Sequence, residues 1–391
     1  LKALPDEGVL LIHAELPSGG NTVIELLRQP AAPPELWETV GLRPIDRLDV
    51  ELCDENAYTL DYARFSVNGQ PYTEPQPIVR AIDWLYQELK KYPSQATVPI
   101  RVSYTVYCDA ALDAGGISLV AEDEHVVSIE VNGQPVTQSR AGYWIDRGFG
   151  RYAIGALLQP GENQIVLSYQ SEERDCDTSL LDGFENEKNR FCYPIEPDCI
   201  YLTGQFDVET DAAVSYNTNS YCIPAGTFRL APPTPKRLGS IPEQGAWFYR
   251  GSVRYTFTAD GAGADERICL RLKDPRAAAA EIRVGERCRI ASLLGEDIDI
   301  TGQLHEGVNR IEVTLIGHNR NLLGPHHHVQ RTTAMVGPNT FAGKVGFEDF
   351  VSPEVTGDSS WTDSYSFIPF GCDGICLIRK SRQVPPEHAI F

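Results

Sequence analysis

The stretch "RNLLGPHHHVQ", residues 320–330, sets His326, His327 and His328 in a row after a Gly-Pro pair. Imidazole ligates metals and moves protons near neutral pH, and the chain holds only 8 histidines. In extended chain, neighbouring side chains point to opposite faces. His326 and His328 would then share a face and could hold a metal, with His327 turned away. Two ligands are too few for a zinc site, and no H-E-x-x-H spacing supplies more. The remaining readings are a structural loop and a loop that touches a ligand or a neighbouring domain. We expect no metal, and we expect the three imidazoles, with Asn321 beside them, at a surface that faces another domain or carbohydrate.

Two aromatic spans offer different chemistry. "GYWIDRGFGRY" carries Tyr143, Trp144, Asp146, Arg147, Phe149 and Arg151, and "AWFYRG" carries Trp247, Tyr249 and Arg250. Ring faces stack on the C–H groups of sugars while polar edges bond hydroxyls. The plainer reading is packing, because Trp in a β-sandwich usually belongs to the core. "DCDTSLLDGFENEKNRF" gathers Asp175, Asp177, Asp182, Glu185 and Glu187. Oxygen ligands suit structural calcium, but the spacing is not that of an EF-hand, and a solvated acidic loop serves equally. No Ser-His-Asp spacing, nucleophile elbow or phosphate loop occurs. A carboxylate pair for glycoside hydrolysis cannot be picked from 54 acids without geometry. We expect no cofactor.

The elements that must position these residues are mostly strands. "VPIRVSYTVYC" alternates with Ile100, Val102, Tyr104 and Val106 on one face, and "NRIEVTL" alternates with Ile311, Val313 and Leu315. "VNGQP" occurs twice, at Val67 and Val131, and Asn-Gly is a strong hairpin signal. One helix is predicted over residues 78–92, with Ile78, Ile82, Leu85, Tyr86 and Leu89 on one stripe and Pro93 as its stop.

An internal repeat organises the chain. "RVSYTVYCDA" is echoed by "SVRYTFTADG", "GISLV" by "RICLRL", and "VSIEVNG" by "AAEIRVG". "IGALLQPGENQIVLSY" is echoed by "ITGQLHEGVNRIEVTL", aligning Leu158, Gly161, Asn163 and Ile165 with Leu304, Gly307, Asn309 and Ile311. The order is kept at a nearly constant offset, so two copies of one sandwich are predicted. The expected fold is mainly all-β: tandem jelly-roll, galactose-binding-domain-like sandwiches. The expected boundaries are a strand-and-helix segment over 1–95, a first sandwich over 96–196 and a second over 197–391. A Pro-rich connector, residues 229–244, would join the copies.

Composition excludes some function classes. The 391 residues carry a net charge of −20, which disfavours nucleic acid and anionic membranes as partners. No apolar run is long enough to span a bilayer. The chain opens "LKALPDEG" without Met and without a signal-peptide pattern, so a piece of a longer, cytoplasmic protein is expected. The 10 cysteines form no C-x-x-C pair. Reduced thiols are expected, with Cys176, Cys192, Cys199 and Cys222 the exceptions to watch.

The second copy resembles the sugar-binding β-sandwich of family 2-type glycoside hydrolases, on "GAWFYRGSVRYTF", "GVNRIEV" and "NRNLLGPHHH". The whole order is similar to the C-terminal half of large α-L-rhamnosidase-like glycoside hydrolases, through "ENAYTLDYARFSVNG", "GYWIDRGFGRYAI", "IYLTGQF" and "YSFIPFGCDGICLI". That resemblance implies a catalytic (β/α)8 barrel upstream, and no alternating strand–helix pattern is present here to build one. It therefore implies a non-catalytic accessory part that supports a catalytic domain of the same protein and touches carbohydrate. The alternatives are a stand-alone lectin-like module and a complete enzyme with its site between sandwiches.

Overall fold

The computed structural model describes residues 2–6, 9–13, 37–93, 96–171, 195, 197–217, 220–224, 228–292, 294–329, 341 and 361–383. The acidic loop of Asp175–Glu187, with Cys176 and Cys192, lies outside them. The chain is built almost wholly of antiparallel strands in two compact units. One unit comprises residues 51–253 and 317–370; the other comprises 1–50, 254–316 and 371–391.

These units do not follow boundaries at 95/96 and 196/197. In the 51–253/317–370 unit, one sheet runs Gln134–Pro135, Val126–Val131, Gly161–Ser171, Val98–Cys108, and the opposing sheet runs Asp146–Ala153, Ser118–Glu122, Ile200–Gly204, Asn56–Leu60. Strand Tyr62–Val67 also pairs with Val98–Cys108. Strands before residue 95 are thus integral to the sandwich rather than a preceding segment. The Pro-rich stretch is likewise not a free connector, since Phe228–Ala231 is a strand paired with Asp207–Thr210.

The other unit repeats the pattern. One sheet runs Arg287–Ala291, Ala279–Val284, Val308–Ile316, Val253–Asp260, and the second runs Ile298–Asp299, Glu266–Lys273, Gly374–Arg382, Trp37–Pro44. Each sheet has its counterpart in the same strand order. In chain order the 51–253/317–370 unit is inserted between the opening and closing segments of the other, and residues 254–316 of the other are in turn inserted within it, a topology that leaves the repeat visible but breaks the domain boundaries.

Side-chain alternation explains the core. Ile100, Val102, Tyr104 and Val106 are all fully buried, and so are Ile311, Val313 and Leu315. The Asn-Gly turns take left-handed conformations at both residues, with φ of 51° and 73° at Asn68–Gly69 and 52° and 74° at Asn132–Gly133, as two-residue hairpin turns require. The helix spans Ile78–Leu89, and its predicted stripe faces inward, with Ile78, Ala81 and Leu85 buried. Cys108 and Cys269 are buried thiols, and Cys199, Cys222, Cys288, Cys372 and Cys376 are likewise in no disulfide.

The repeat holds at atomic detail. Asn163 Oδ1 accepts from the Gln159 amide at 2.8 Å, and its Nδ2 donates to the carbonyls of Gln159 and Gly161 at 2.7 and 3.0 Å. Asn309 makes the same three bonds, to the His305 amide and to the carbonyls of His305 and Gly307, each at 2.9 Å. Gly161 and Gly307 sit at φ of 88° and 87°, where a Cβ would be strained. Each Asn is buried, so it satisfies a turn that water cannot reach. Asn163→Ala and Asn309→Ala should each lower unfolding stability by about 1–3 kcal/mol in denaturant titrations. Val308→Thr, at an exposed position beside the second turn, should change it by less than about 0.5 kcal/mol. Equal, negligible effects for all three would remove the turn from the account.

Candidate functional site

The three histidines lie in one compact unit, and they are not at its surface. His326, His327 and His328 are 6%, 5% and 1% exposed. The surface placement expected from the sequence is therefore corrected: these rings face the interior of their own unit. Their segment leaves the short helix Arg320–Leu323 and runs beside residues 361–366. Thr362 N donates to the His327 carbonyl, Ser366 N donates to the His326 carbonyl, both at 2.8 Å, and His328 bridges to Trp361. The backbone is held along residues 361–366. His326 and His327 turn toward the same partner.

That partner is Asp61, between strands Asn56–Leu60 and Tyr62–Val67. Its Oδ2 lies 2.9 Å from His327 Nε2 and 3.9 Å from His326 Nδ1, and its Oδ1 accepts the Tyr365 hydroxyl at 2.6 Å. Burial alone would raise the Asp61 pKa; the His327 bond, the charges of His327 and His326, and the Tyr365 bond more than offset it and hold the carboxyl below its usual range. The other nitrogen of His327, Nδ1, lies 3.0 Å from the Thr362 carbonyl. Both ring nitrogens thus lie within hydrogen-bond distance of an oxygen, which fixes the orientation of the ring beside Asp61.

Aromatic rings close the pair. Trp361 stacks on His327 at 4.7 Å, Tyr365 meets its edge at 4.4 Å, and Arg80 lies 5.0 Å over the Trp361 ring. Asp363 accepts from Trp361 Nε1 and the Tyr62 hydroxyl. His326 is the neutral member. Burial, partly countered by Asp61, drives its pKa down to about 4, and its Nε2 lies 2.9 Å from the Asn321 carbonyl. Asn321 is fully buried and clasps Ile368, donating to its carbonyl and accepting from its amide at 2.9 Å each. Among the described residues no group of three His, Cys, Asp or Glu is arranged to hold a metal.

The aromatic spans divide. Trp247 and Tyr249 are 5% and 2% exposed; Tyr249 donates to the Ser252 carbonyl and accepts from Asp54 N, which fixes it as packing. Tyr143 is 61% exposed, and Trp144 is half-buried against Tyr201 at 5.8 Å, with Arg250 over its free side at 6.0 Å. Asp146 and Arg147 are exposed on the same hairpin, where Asp146 Oδ1 accepts from Gly148 N. Ile145 at its tip has φ of 63°, a strained conformation for a β-branched residue. Phe149 packs on Tyr201, and Arg151 pairs with Glu55.

Of the site residues read from the sequence, Tyr143, Asp146 and Arg147 are thus exposed on one hairpin, with Trp144 half-buried on it and Arg250 beside Trp144. Asn321 and the histidines form a separate buried knot. Asp61, Tyr365 and Trp361 were missed. The only local sign of Asp61 is an acid within the aromatic, strand-forming run "AYTLDYARF".

No family model and no curated protein matches the sequence. Solved structures that align with it are glycosidases. They include a β-D-mannosidase from Dictyoglomus thermophilum, at 10% identity over 69% of this chain and 31% of that one, with a TM-score of 0.25. An exo-chitosanase from Amycolatopsis orientalis aligns at 12% identity over 68% and 29%, with a TM-score of 0.27. A β-glucuronidase from Ruminococcus gnavus aligns at 11% identity over 69% and 40%, with a TM-score of 0.26. The chain spans about a third of the length of these enzymes, and at such identity and score nothing about activity follows from them.

The two depressed pKa values give separate pH windows. Unfolded His326 binds a proton below about 6.5, and the folded ring refuses it until about 4. The unfolded state then holds more protons, so stability falls as pH drops from about 6.5 to 4, by on the order of 3 kcal/mol. The Asp61 contribution is present above the unfolded carboxyl value of about 3.9 and is lost only as pH falls through its lowered folded value. Urea unfolding between pH 7 and 4 should show the first loss, and His326→Gln should flatten it.

Proposed function

We propose that this chain is the non-catalytic accessory part of a larger glycoside hydrolase of α-L-rhamnosidase-like type. It braces a catalytic domain of the same protein and touches carbohydrate through the Tyr143–Trp144 hairpin. The observation that supports this most is the fate of the histidines. The residues best suited to catalysis are buried, mutually bonded and spent on holding their unit together. What remains exposed is an aromatic, polar-edged hairpin of the kind that stacks on sugar rings. Its strained tip fits a role beyond packing. The acidic surface is compatible with a neutral glycan and unsuited to polyanions.

The purified chain should hydrolyse no aryl glycoside. Turnover that survives purification and disappears on a single Asp or Glu substitution within the chain would overturn the reading. In affinity electrophoresis through soluble plant polysaccharides the chain should be retarded, and Tyr143→Ala with Trp144→Ala should reduce the retardation without changing the melting profile. Retardation equal to that of the unaltered chain in the double variant would remove the hairpin from the site.

A further inference from the structure

A concave feature lies in the 51–253/317–370 unit, apart from the aromatic hairpin's residues. It is a cleft of about 480 Å³ lined by strand Asp207–Thr210, Val214, Thr234, Pro235, Arg237, residues 243–245 and Trp247. That volume lies within the range of about 300–1,000 Å³ that holds small ligands.

The wall is rigid for identifiable reasons. Lys236 Nζ meets Asp207 Oδ1 at 2.5 Å, with both side chains nearly inaccessible, and also donates to the Gln244 carbonyl at 2.7 Å. Asp207 Oδ2 accepts from the amide and hydroxyl of Thr234. The Gln244 side chain returns to the backbone of Arg237 and Ser240. Gly245, at φ of 82°, lets the backbone approach Asp207 so closely that a Cβ would lie 2.5 Å from it. A wall fixed before binding spares a ligand the cost of ordering it.

The cleft has no surplus cation. Lys236 bonds Asp207, and Arg229 is shared between Glu209 and Asp211, at 2.7 Å to each. Glu243, which accepts the Tyr221 hydroxyl at 2.8 Å, faces the same space as Arg237, the only cation among the lining residues. With every cation matched by a carboxylate, the cleft suits neither phosphate nor carboxylate. Acceptors and donors interspersed with Val208, Val214 and the edge of buried Trp247 suit a ring with hydroxyls on its rim and C–H groups on its faces.

We propose that this cleft binds a neutral saccharide unit, with Glu209, Glu243 and Arg237 bonding its hydroxyls. The proposal rests on the carbohydrate-linked reading above and adds a site to it. The test titrates the full chain, by calorimetry and saturation-transfer NMR, with neutral methyl glycosides of common hexoses and deoxyhexoses, and with glucuronate and galacturonate. At least one neutral glycoside should bind and the uronates should not. Arg237→Ala and Glu243→Ala should each weaken binding about tenfold, while Val308→Thr, at an exposed position outside both sites, leaves it unchanged. Binding that is indifferent to both cleft variants but lost in Tyr143→Ala would overturn the cleft and leave the carbohydrate reading standing. Tighter binding of uronates would overturn the neutral ligand. Absence of binding by every glycoside, together with no retardation by polysaccharide, would overturn both.

Discussion

One buried carboxylate organises the larger unit. Asp61 meets an imidazole and a phenol from segments 266 and 304 residues away along the chain. A charge removed from water is costly, and attraction to a partner offsets that cost only when the geometry is good and the remaining lone pairs are bonded. Here both carboxyl oxygens and both His327 nitrogens are engaged. The same contacts fix residues 326–328 against 361–366 and against the strands on either side of Asp61. In the neighbouring aromatic core Phe248 meets His326 and Phe367 edge-on, Phe228 meets Tyr365 edge-on, and Tyr365 stacks on Phe367. Its apolar burial supplies much of the stability, but it would accept several arrangements. The Asp61–His327–Tyr365 contact accepts one.

This division of labour accounts for the contrast between the turns and the knot. The Gly-x-Asn turns are local devices, repeated in both units because every copy of the sandwich must make that turn. The knot occurs once. It joins a strand that opens its unit to segments that return to it after the sequence of the other unit has intervened. An inserted domain needs such a closing bond, since its two chain ends must be gathered by contacts remote in sequence, each of which carries loop-closure entropy.

What could be read from the sequence follows the range of the interaction. Alternation along 98–108, the helical stripe from Ile78 to Leu89 and the two Asn-Gly turns depend on neighbours within a few residues, and they are visible in the string. The repeat is visible because Gly161 and Gly307, with Asn163 and Asn309, answer the same backbone need. The unit boundaries were not legible, since an insertion keeps element order while reassigning strands such as Trp37–Pro44 to a partner at Gly374–Arg382. Nor was the burial of the histidines. A run of three imidazoles reads as reactive until Asp61 is placed beside it, and nothing in the spacing of residues 61, 327 and 365 announces that they meet.

The central claim is that Asp61 and His327 stabilise the fold as a pair rather than as separate buried groups. A double-mutant cycle of Asp61→Asn and His327→Leu, read by urea unfolding at pH 7, addresses it directly. Each single variant should cost about 3–5 kcal/mol, because each leaves a buried partner unsatisfied. The double variant should cost well below the sum of the two, with a coupling of about 2 kcal/mol or more. Additive losses, with a coupling within about 0.5 kcal/mol of zero, would contradict the account.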